Sequence, residues 1–298
     1  SGVTVAPDGS LYFMDWSQML IGHLQHHLRD PNRDHQHGRI YRITYPERPL
    51  LTPKKIHGEP IAALLELLKE PENDVRLRAK IELGKHDSSQ VVSALKNWVR
   101  QFNAKGIEDA HHLLEALWVH QWHNVVNPEL INALLNSPEH RARAQAVRVV
   151  CYQRDRIPNA LDLLKKAVLD EHPRVRLEAV RAASFFRGKD VAAAISIAQD
   201  VLRNPTDYYI DYCFEETLKQ LQSLTTDSVA PTDPVLLASF ISKLDDRELL
   251  ALSPATEPIL FARLERRSYD VSAREKILAD LAKLHGSTRG DELLAALR

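Results

Sequence analysis

Five of the fourteen histidines lie between positions 23 and 37, and they form the densest group of potential metal ligands in the sequence. Imidazole and carboxylate groups both bind divalent cations. The sequence therefore predicts a candidate metal site made of His26, His27, His35, His37 and Asp15. Because the adjacent His26 and His27 cannot chelate from one rigid face, the spacing matches no established zinc motif. The alternative is a structural loop that docks the preceding strands on the first helices.

Three arginines lie within or beside the same histidine segment. Arg29, Arg33 and Arg39 are candidate cofactor-binding residues, because guanidinium groups pair well with carboxylates. Those carboxylates belong either to an acidic cofactor or to the chain itself.

A second candidate site lies in the segment at residues 109–123, which has helical spacing. His112, Glu115 and His123 share one face of this helix with Val119, while Trp118 and Trp122 share another. A face with histidine and glutamate is able to bind a metal. The interpretation we favour is a hydrogen-bonded, buried His112 with the two tryptophans in the core.

A third candidate is an arginine-rich stretch at residues 141–156. Its members are Arg141, Arg143, Arg148, Arg154 and Arg156. The stretch allows a phosphate-binding groove, but a solvated face that pairs with Glu139 and Asp155 is favoured. No HExxH, Walker, GxGxxG, GxSxG or CxxCH motif occurs in the sequence.

Composition limits the class of protein that could carry these residues. The chain has 298 residues, 44% of them apolar, and a formal net charge of −1. This composition is typical of a globular protein, and the charge argues against a dedicated nucleic-acid binder. Its apolar runs are too short for a membrane-spanning helix. For Cys151 and Cys213 we favour buried thiols, but the sequence leaves a disulfide open.

The first 45 residues have the alternation and turn residues of β-strands. Val3 and Val5 alternate with small or polar neighbours, residues 7–9 (PDG) favour a turn, and residues 11–13 and 38–45 form two further apolar stretches. A small three-stranded sheet is expected, which would be marginal without a partner layer.

Residues 6–15 (APDGSLYFMD) and 38–43 (GRIYRI), together with the histidine loop, resemble the closing blade of a β-propeller of the glucose/sorbosone dehydrogenase type. The nearest resemblance is to large bacterial PVC-type, or membrane-bound, multidomain dehydrogenases. In that family a propeller precedes HEAT repeats and a c-type haem domain. The resemblance implies a fragment of a longer protein whose other blades and haem c domain are its partners. It also implies pyrroloquinoline quinone, calcium and haem c in the parent, and a periplasmic or cell-envelope location.

From residue 61 onward the apolar spacing becomes helical and then repeats. Ala79, His112, Ala146, Ala179 and Cys213 are separated by 33 or 34 residues, and a Val/Ala-Arg pair precedes three of them. Small residues at this spacing let neighbouring helices approach closely. The arginines, such as Arg76, suit hydrogen bonds to a neighbouring turn, although Asp109 and Ile210 interrupt this series. The pattern resembles HEAT repeats.

The fold class predicted is therefore mainly α. A HEAT-like α-solenoid of antiparallel helix pairs follows a short remnant of a three-stranded propeller blade. The expected segments are a blade at 1–45, a linker at 46–60, repeats at 61–223, a linker at 224–234 and irregular helical repeats at 235–298. The paired helices are expected at 61–69/74–84, 89–102/107–122, 128–136/139–153, 157–169/173–186 and 189–203/206–222.

Two functions are expected, the first implied by the resemblance and the second by the helical repeats. In the first, the chain is part of an exported, quinone-dependent sugar or alcohol dehydrogenase, in which this piece is a structural and docking solenoid without catalysis or a firmly bound cofactor of its own. In the second, it is a free-standing HEAT scaffold with a protein partner on its concave face. A HEAT-type nucleic-acid enzyme is disfavoured by the net charge.

Overall fold

The computed structural model describes residues 2–15, 31, 34 and 36–297. Most of this part of the chain is helical, with a small antiparallel sheet at the N-terminal end, so the predicted fold class is confirmed. The chain divides into two compact units. Unit 1 comprises residues 1–102 and 118–125, and unit 2 comprises residues 103–117 and 126–298.

The sheet in unit 1 has three antiparallel strands in the order β1-β2-β3. The strands are β1 (Val3–Val5), β2 (Leu11–Asp15) and β3 (Arg39–Ile43). Gly9 has a φ of +80° in the turn between β1 and β2, a conformation that favours glycine. Phe13 lies opposite Val3 on one side and Tyr41 on the other, and its ring stacks on that of Tyr41 with centroids 5.0 Å apart.

The first helix begins at Ile61, where the apolar spacing of the sequence becomes helical. The helices up to residue 122 are α1 (Ile61–Glu66), α2 (Asn73–Leu83), α3 (Ser88–Trp98) and α4 (Ile107–Trp122). The paired helices that follow are α5 (Pro128–Leu135), α6 (His140–Gln153), α7 (Ala160–Ala167), α8 (Pro173–Ala183), α9 (Val191–Asp200) and α10 (Tyr208–Gln222). The last group is α11 (Pro234–Lys243), α12 (Asp246–Ala251), α13 (Glu257–Glu265), α14 (Val271–His285) and α15 (Arg289–Ala296).

In unit 2 the second helices of successive pairs stack on one another. Helix α6 packs against α8, and α8 packs against α10. Ala146 and Ala179, which the repeat places at equivalent positions, are completely buried between these helices. Cys213 is half-buried at the next equivalent position, with its Sγ 4.0 Å from the carbonyl oxygen of Leu177. The small-residue spacing therefore corresponds to real close contacts between helices.

Arginines connect the repeats of unit 2 through the turns between paired helices. Arg143 on α6 donates two hydrogen bonds to the carboxylate of Asp170 in the next repeat, at 2.8 and 2.9 Å. Arg176 on α8 donates to the carbonyl oxygen of Asp170 at 2.9 Å and to that of Pro205 in the following repeat at 2.8 Å. We call Arg143 and Arg176 the arginine ladder. These contacts confirm the predicted bonding between repeats for this pair.

Unit 1 departs from the sequence-based expectation at Trp122. The prediction of a core tryptophan is wrong there, because Trp122 is 52% exposed. Its indole lies against the backbone at Gly84, where an added Cβ would clash with Nε1. Trp118 is half-buried, with the ammonium of Lys80 4.8 Å from its ring centroid. The indole of Trp122 thus covers backbone rather than filling the interior.

Helices α13 and α14 of unit 2 pack around a smaller core. Leu260, Ile277 and Leu281 form its buried centre. Arg263 is also buried, and it donates hydrogen bonds to the carbonyl oxygens of Leu249, at 3.0 Å, and Leu252, at 2.7 Å. Across the described part of the chain, no helix combines the length and the apolar content that crossing a bilayer requires.

Candidate functional site

The predicted histidine site falls largely on positions that the structure does not describe. His26, His27, His35, Arg29 and Arg33 all lie outside the described residues. Of the remaining residues, Asp15 lies directly opposite Arg39 across strands β2 and β3. Nδ1 of His37 lies 3.0 Å from the carboxylate of Asp34. The metal and cofactor assignments therefore stay predictions.

The carboxylate of Asp34 accepts hydrogen bonds from the backbone that follows it. Its Oδ1 accepts hydrogen bonds from the backbone N–H groups of Gln36, at 3.0 Å, and His37, at 3.1 Å. The bond from Gln36 is the main cause that lowers the pKa of Asp34 below its usual value. Within residues 2–15, 31, 34 and 36–297, no three histidine, cysteine, aspartate or glutamate side chains converge in a way that could hold a metal ion.

The second candidate, helix α4, places its polar side chains in separate interactions. Glu115 is buried, and its Oε1 lies 3.3 Å from Nε2 of His111, one position before the predicted His112. His112 is half-buried. In unit 1, Nδ1 of His123 lies 3.0 Å from Oγ of Ser88, and burial lowers the pKa of His123. The carboxylate of Glu115 thus lies within ion-pair distance of the imidazole of His111.

The arginine-rich stretch divides according to the period of helix α6. Arg141 pairs with Glu139 at 2.9 Å, as predicted for a solvated face, and this bond holds the pKa of Glu139 at about 2. Arg143 is buried in the ladder, so the prediction of a solvated face is wrong for this residue. Arg148 points instead towards helix α8. Arginines of this one stretch therefore lie in three environments: a solvated surface pair, the buried ladder and the side of α6 that faces α8.

Helices α6 and α8 together form the strongest candidate site in the described part of unit 2. We define the arginine–aromatic surface as Arg148 and Tyr152 on α6, Arg174, Glu178 and Arg181 on α8, Phe185 just after α8, and Tyr212 on α10. The repeat explains the arrangement, because positions 148 and 152 are equivalent to 181 and 185, and position 178 is equivalent to 212.

Glu178 lies at the centre of this surface and is only 1% exposed. Its carboxylate accepts hydrogen bonds from Nη2 of Arg148 at 2.9 Å, Nη2 of Arg174 at 3.0 Å and Nε of Arg181 at 3.1 Å. A buried carboxylate is stable only when it is paired and hydrogen-bonded, and these three guanidinium groups meet that requirement. Three positive charges share one negative charge, so the cluster has a formal excess of two positive charges.

Two aromatic rings flank the guanidinium group of Arg181. Its Cζ lies 5.9 Å from the ring centroid of Tyr152 and 5.6 Å from that of Phe185. Burial is the largest single influence and would lower the pKa of Arg181, but the hydrogen bond and the charge of Glu178, with smaller contributions from Cys151 and Tyr152, together raise it. Tyr152 is 59% exposed and Phe185 is 38% exposed. The surface thus combines fixed positive charge with large exposed rings.

Both cysteines lie close to this surface as free thiols. Cys151 on α6 is buried and Cys213 on α10 is half-buried. Burial raises the pKa of each thiol above its ordinary value. The structure therefore supports the interpretation of buried thiols and shows no disulfide between these two residues.

A cavity of about 630 Å³ lies between helices α10, α11 and α12 of unit 2. Phe214 and Phe240 form part of its lining, with ring centroids 6.2 Å apart in an edge-to-face arrangement. Lys219, Lys243 and Glu248 add polar groups to the lining. Lys243 is held by Asp211, with its Nζ 2.7 Å from Oδ1. The cavity is mainly apolar and its charged groups are of both signs.

Glu178 and its partners Arg174 and Arg181 were not identified as functional residues from the sequence. A signal was present, because the 33-residue spacing places the segment with Arg148 and Tyr152 beside the segment with Arg181 and Phe185. An alignment of the two repeats places Arg148 opposite Arg181 and Tyr152 opposite Phe185. The convergence of three arginines on Glu178 depends on side-chain directions that the spacing does not contain.

Comparison with known proteins supports the repeat assignment over part of the chain. Residues 127–227 match the family model of HEAT repeats. No curated protein matches the chain. The matched segment contains helices α5–α10 and every member of the arginine–aromatic surface. The segment that carries this surface is therefore identified as HEAT repeats.

Proposed function

We propose that residues 127–227 are a docking scaffold that binds another protein through the exposed side of their second helices. HEAT repeats expose long surfaces built from successive helices, which suit binding to extended partners. The observation that carries the proposal is the arginine–aromatic surface. Tyr152, Phe185 and Tyr212 expose their rings on neighbouring repeats beside the arginines that surround Glu178. Tyrosine, other aromatic residues and arginine are the residue types enriched at protein interfaces.

Site-specific photo-crosslinking tests this proposal in cells that produce the natural full-length polypeptide. A benzophenone amino acid is placed at Tyr152, and a matched control places it at Ala193, which is exposed on α9. We expect a discrete cross-linked product at position 152 whose partner residues map to one protein segment. The same set of products at both positions, or no product at position 152, would overturn the proposal.

We further propose that the scaffold belongs to an exported, quinone-dependent sugar or alcohol dehydrogenase with a haem c domain. The N-terminal sheet supports this proposal, because apolar side chains occupy most of one face of it, next to the Asp15–Arg39 pair at one end. The apolar members of that face are Val3, Val5, Leu11, Phe13, Tyr41 and Ile43. Four of these, Val3, Val5, Tyr41 and Ile43, are exposed, and such a face suits packing against further sheets of a propeller.

We propose that the quinone, the calcium and the haem iron are held by the rest of the parent protein. Asp15 and Arg39 face each other across the sheet, and His37 pairs with Asp34. The hydrogen bond with Tyr41 raises the pKa of Arg39, so this guanidinium is also engaged. These pairs do not form a cofactor cradle among the described residues. In this proposal the chemistry belongs to the rest of the parent protein, and this segment docks and spaces its parts.

The complete reading frame of the gene tests the dehydrogenase proposal directly. We expect five further propeller blades encoded before residue 1 and a CxxCH haem-attachment motif after residue 298. Cell fractionation is expected to place the product in the periplasm or cell envelope. A reading frame with helical repeats alone would overturn the proposal and favour a free-standing scaffold.

A further inference from the structure

The charge of the arginine–aromatic surface identifies the chemistry of the segment that would dock there. Arg148, Arg174 and Arg181 surround a single carboxylate, so two positive charges stay uncompensated within the cluster. The side chains of Arg148 and Arg174 are 38% and 48% exposed, which leaves them accessible from solvent. Two partner carboxylates would neutralise this excess.

The guanidinium groups are held in place before any partner arrives. Glu178 fixes all three through hydrogen bonds of 2.9 to 3.1 Å, and the rings of Tyr152 and Phe185 flank Arg181. Preorganised donors lose less conformational entropy when they bind a carboxylate. Arg148 and Arg174 therefore present preorganised N–H donors to a partner carboxylate.

The aromatic rings set the second requirement for a partner. The rings of Tyr152 and Phe185 both lie within 6 Å of the Arg181 guanidinium, so a ligand that reaches the arginines also contacts these rings. Large apolar or aromatic side chains would remove them from water at the same time. A bare anion would satisfy the arginines and leave the rings exposed.

We infer that the partner is an acidic protein segment in which at least two aspartates or glutamates are interleaved with aromatic or large aliphatic side chains. This inference rests on the proposed docking function and specifies its partner. A nucleic acid fits less well, because its backbone requires many basic contacts along a track. Here three arginines already share a carboxylate, and the net charge of the whole chain is −1.

Peptide display tests the inference with random sequences in place of the natural partner. A library of random twelve-residue peptides is selected on the whole chain, and bound peptides are compared with the unselected library. The Arg148→Gln/Arg174→Gln double variant keeps Arg181 as the partner of Glu178 and removes the positive excess. Its control, Arg247→Gln/Arg267→Gln, removes the same charge at exposed positions outside the matched repeats.

We expect enrichment of acidic peptides that also contain aromatic or large aliphatic residues. Their affinity should fall about tenfold or more in the Arg148→Gln/Arg174→Gln variant and stay within about twofold in the control. Affinity should also fall about tenfold when NaCl rises from about 50 to about 300 mM. A synthetic copy of an enriched peptide with glutamine in place of its acidic residues is expected to bind at least about tenfold more weakly.

The alternative outcomes separate this inference from the proposed docking function. Neutral peptides that bind the wild type but not a Tyr152→Ala/Phe185→Ala variant would overturn the acidic partner and leave the docking surface in place. Peptides that bind wild type and both variants equally would overturn both proposals. Tighter binding of an oligo-dT probe than of any peptide, with the same loss in the arginine variant, would replace the acidic segment with a nucleic acid.

Discussion

The N-terminal sheet and the helix pairs between residues 128 and 222 bury their side chains to very different extents. All three residues of β1 and all five of β3 are exposed. In α6, nine residues are buried, including all three that define the repeat motif, Ala142, Arg143 and Ala146. Both regions have a regular apolar pattern, but only the helix pairs stack on near-copies of themselves.

This difference shows what a repeated sequence supplies to a fold. Each helix pair finds a matching apolar surface on the next pair along the chain, so the repeats supply their own core. A single three-stranded sheet has no such neighbour in the described part of the chain, and it is held by backbone hydrogen bonds and cross-strand pairs such as Phe13 with Tyr41. Stability should therefore respond strongly to changes in the repeats and weakly to changes in the sheet.

The largest effect is expected from Arg143→Gln. This change leaves the carboxylate of Asp170 without its two hydrogen bonds from Arg143, and removing one partner of a buried ion pair costs about 3 kcal/mol or more. Urea unfolding of the whole chain measures the loss. Arg141→Gln is the matched control, because Arg141 is exposed and its pair with Glu139 should contribute less than about 1 kcal/mol. Equal losses in the two variants would show that the ladder is no stronger than a surface pair.

The next effect is expected from Ala179→Leu, at the completely buried position between helices. The added atoms would force α6, α8 and α10 apart, and overpacking of this kind costs about 2 kcal/mol. Ala193→Leu makes the same change on the exposed side of α9 and should stay within about 0.5 kcal/mol of the wild type. A tolerated leucine at position 179 would contradict close stacking of the second helices.

A smaller effect is expected from pH, because two histidines stack between neighbouring repeats. The rings of His140 and His172 lie 3.6 Å apart. Burial, followed by the charge of His140, lowers the pKa of His172 below 6.5. The unfolded chain therefore binds a proton more readily than the folded chain, so the free energy of unfolding should fall as the pH drops through 6.5.

Urea midpoints at about pH 7.5 and about pH 5.5 measure this fall. His140→Gln removes the neighbouring charge and should reduce the fall relative to the wild type. His285 has a raised pKa and acts in the opposite direction, and it is unchanged in both proteins. A pH response identical in the variant and the wild type would exclude the stacked pair as its source.

The smallest effect is expected in the sheet itself. Ile40 on β3 is 72% exposed, so Ile40→Thr removes little buried surface and should change stability by less than about 0.5 kcal/mol. The corresponding change in the repeats, Val180→Thr, places a hydroxyl at a completely buried position and should cost more than about 1 kcal/mol. A loss at Ile40 as large as that at Val180 would show that the sheet is covered in solution.

Much of the helical fold could be predicted from the sequence, because the stacking constraint acts at every repeat. The spacing of Ala146, Ala179 and Cys213 follows from the need for small residues where helices meet. Arg143 and Arg176 each lie one helical turn before one of these alanines, and this position brings them to the turn of the next repeat. Helix ends could also be read, since Pro128, Pro173 and Pro234 stand at the first helical positions.

Side-chain direction limited the prediction of the candidate site. Arg143 and Arg148 lie five residues apart on one helix, yet Arg143 enters the ladder and Arg148 reaches the carboxylate of Glu178. Trp122 shows the same limit, because its face of the helix meets the backbone at Gly84 and stays half exposed. Composition and periodicity place a residue on a face, but the neighbouring helix decides which contact that residue makes.

The reach of the arginine ladder also bears on how such a protein can change over evolutionary time. Arg143 and Arg176 each reach only as far as the turn of the next helix pair. Duplication of the module that contains α7 and α8 would therefore supply an arginine for the new junction, without compensating changes elsewhere. Recombination within the gene can therefore change the number of helix pairs, while the arginine–aromatic surface, which spans three of them, is inherited unchanged.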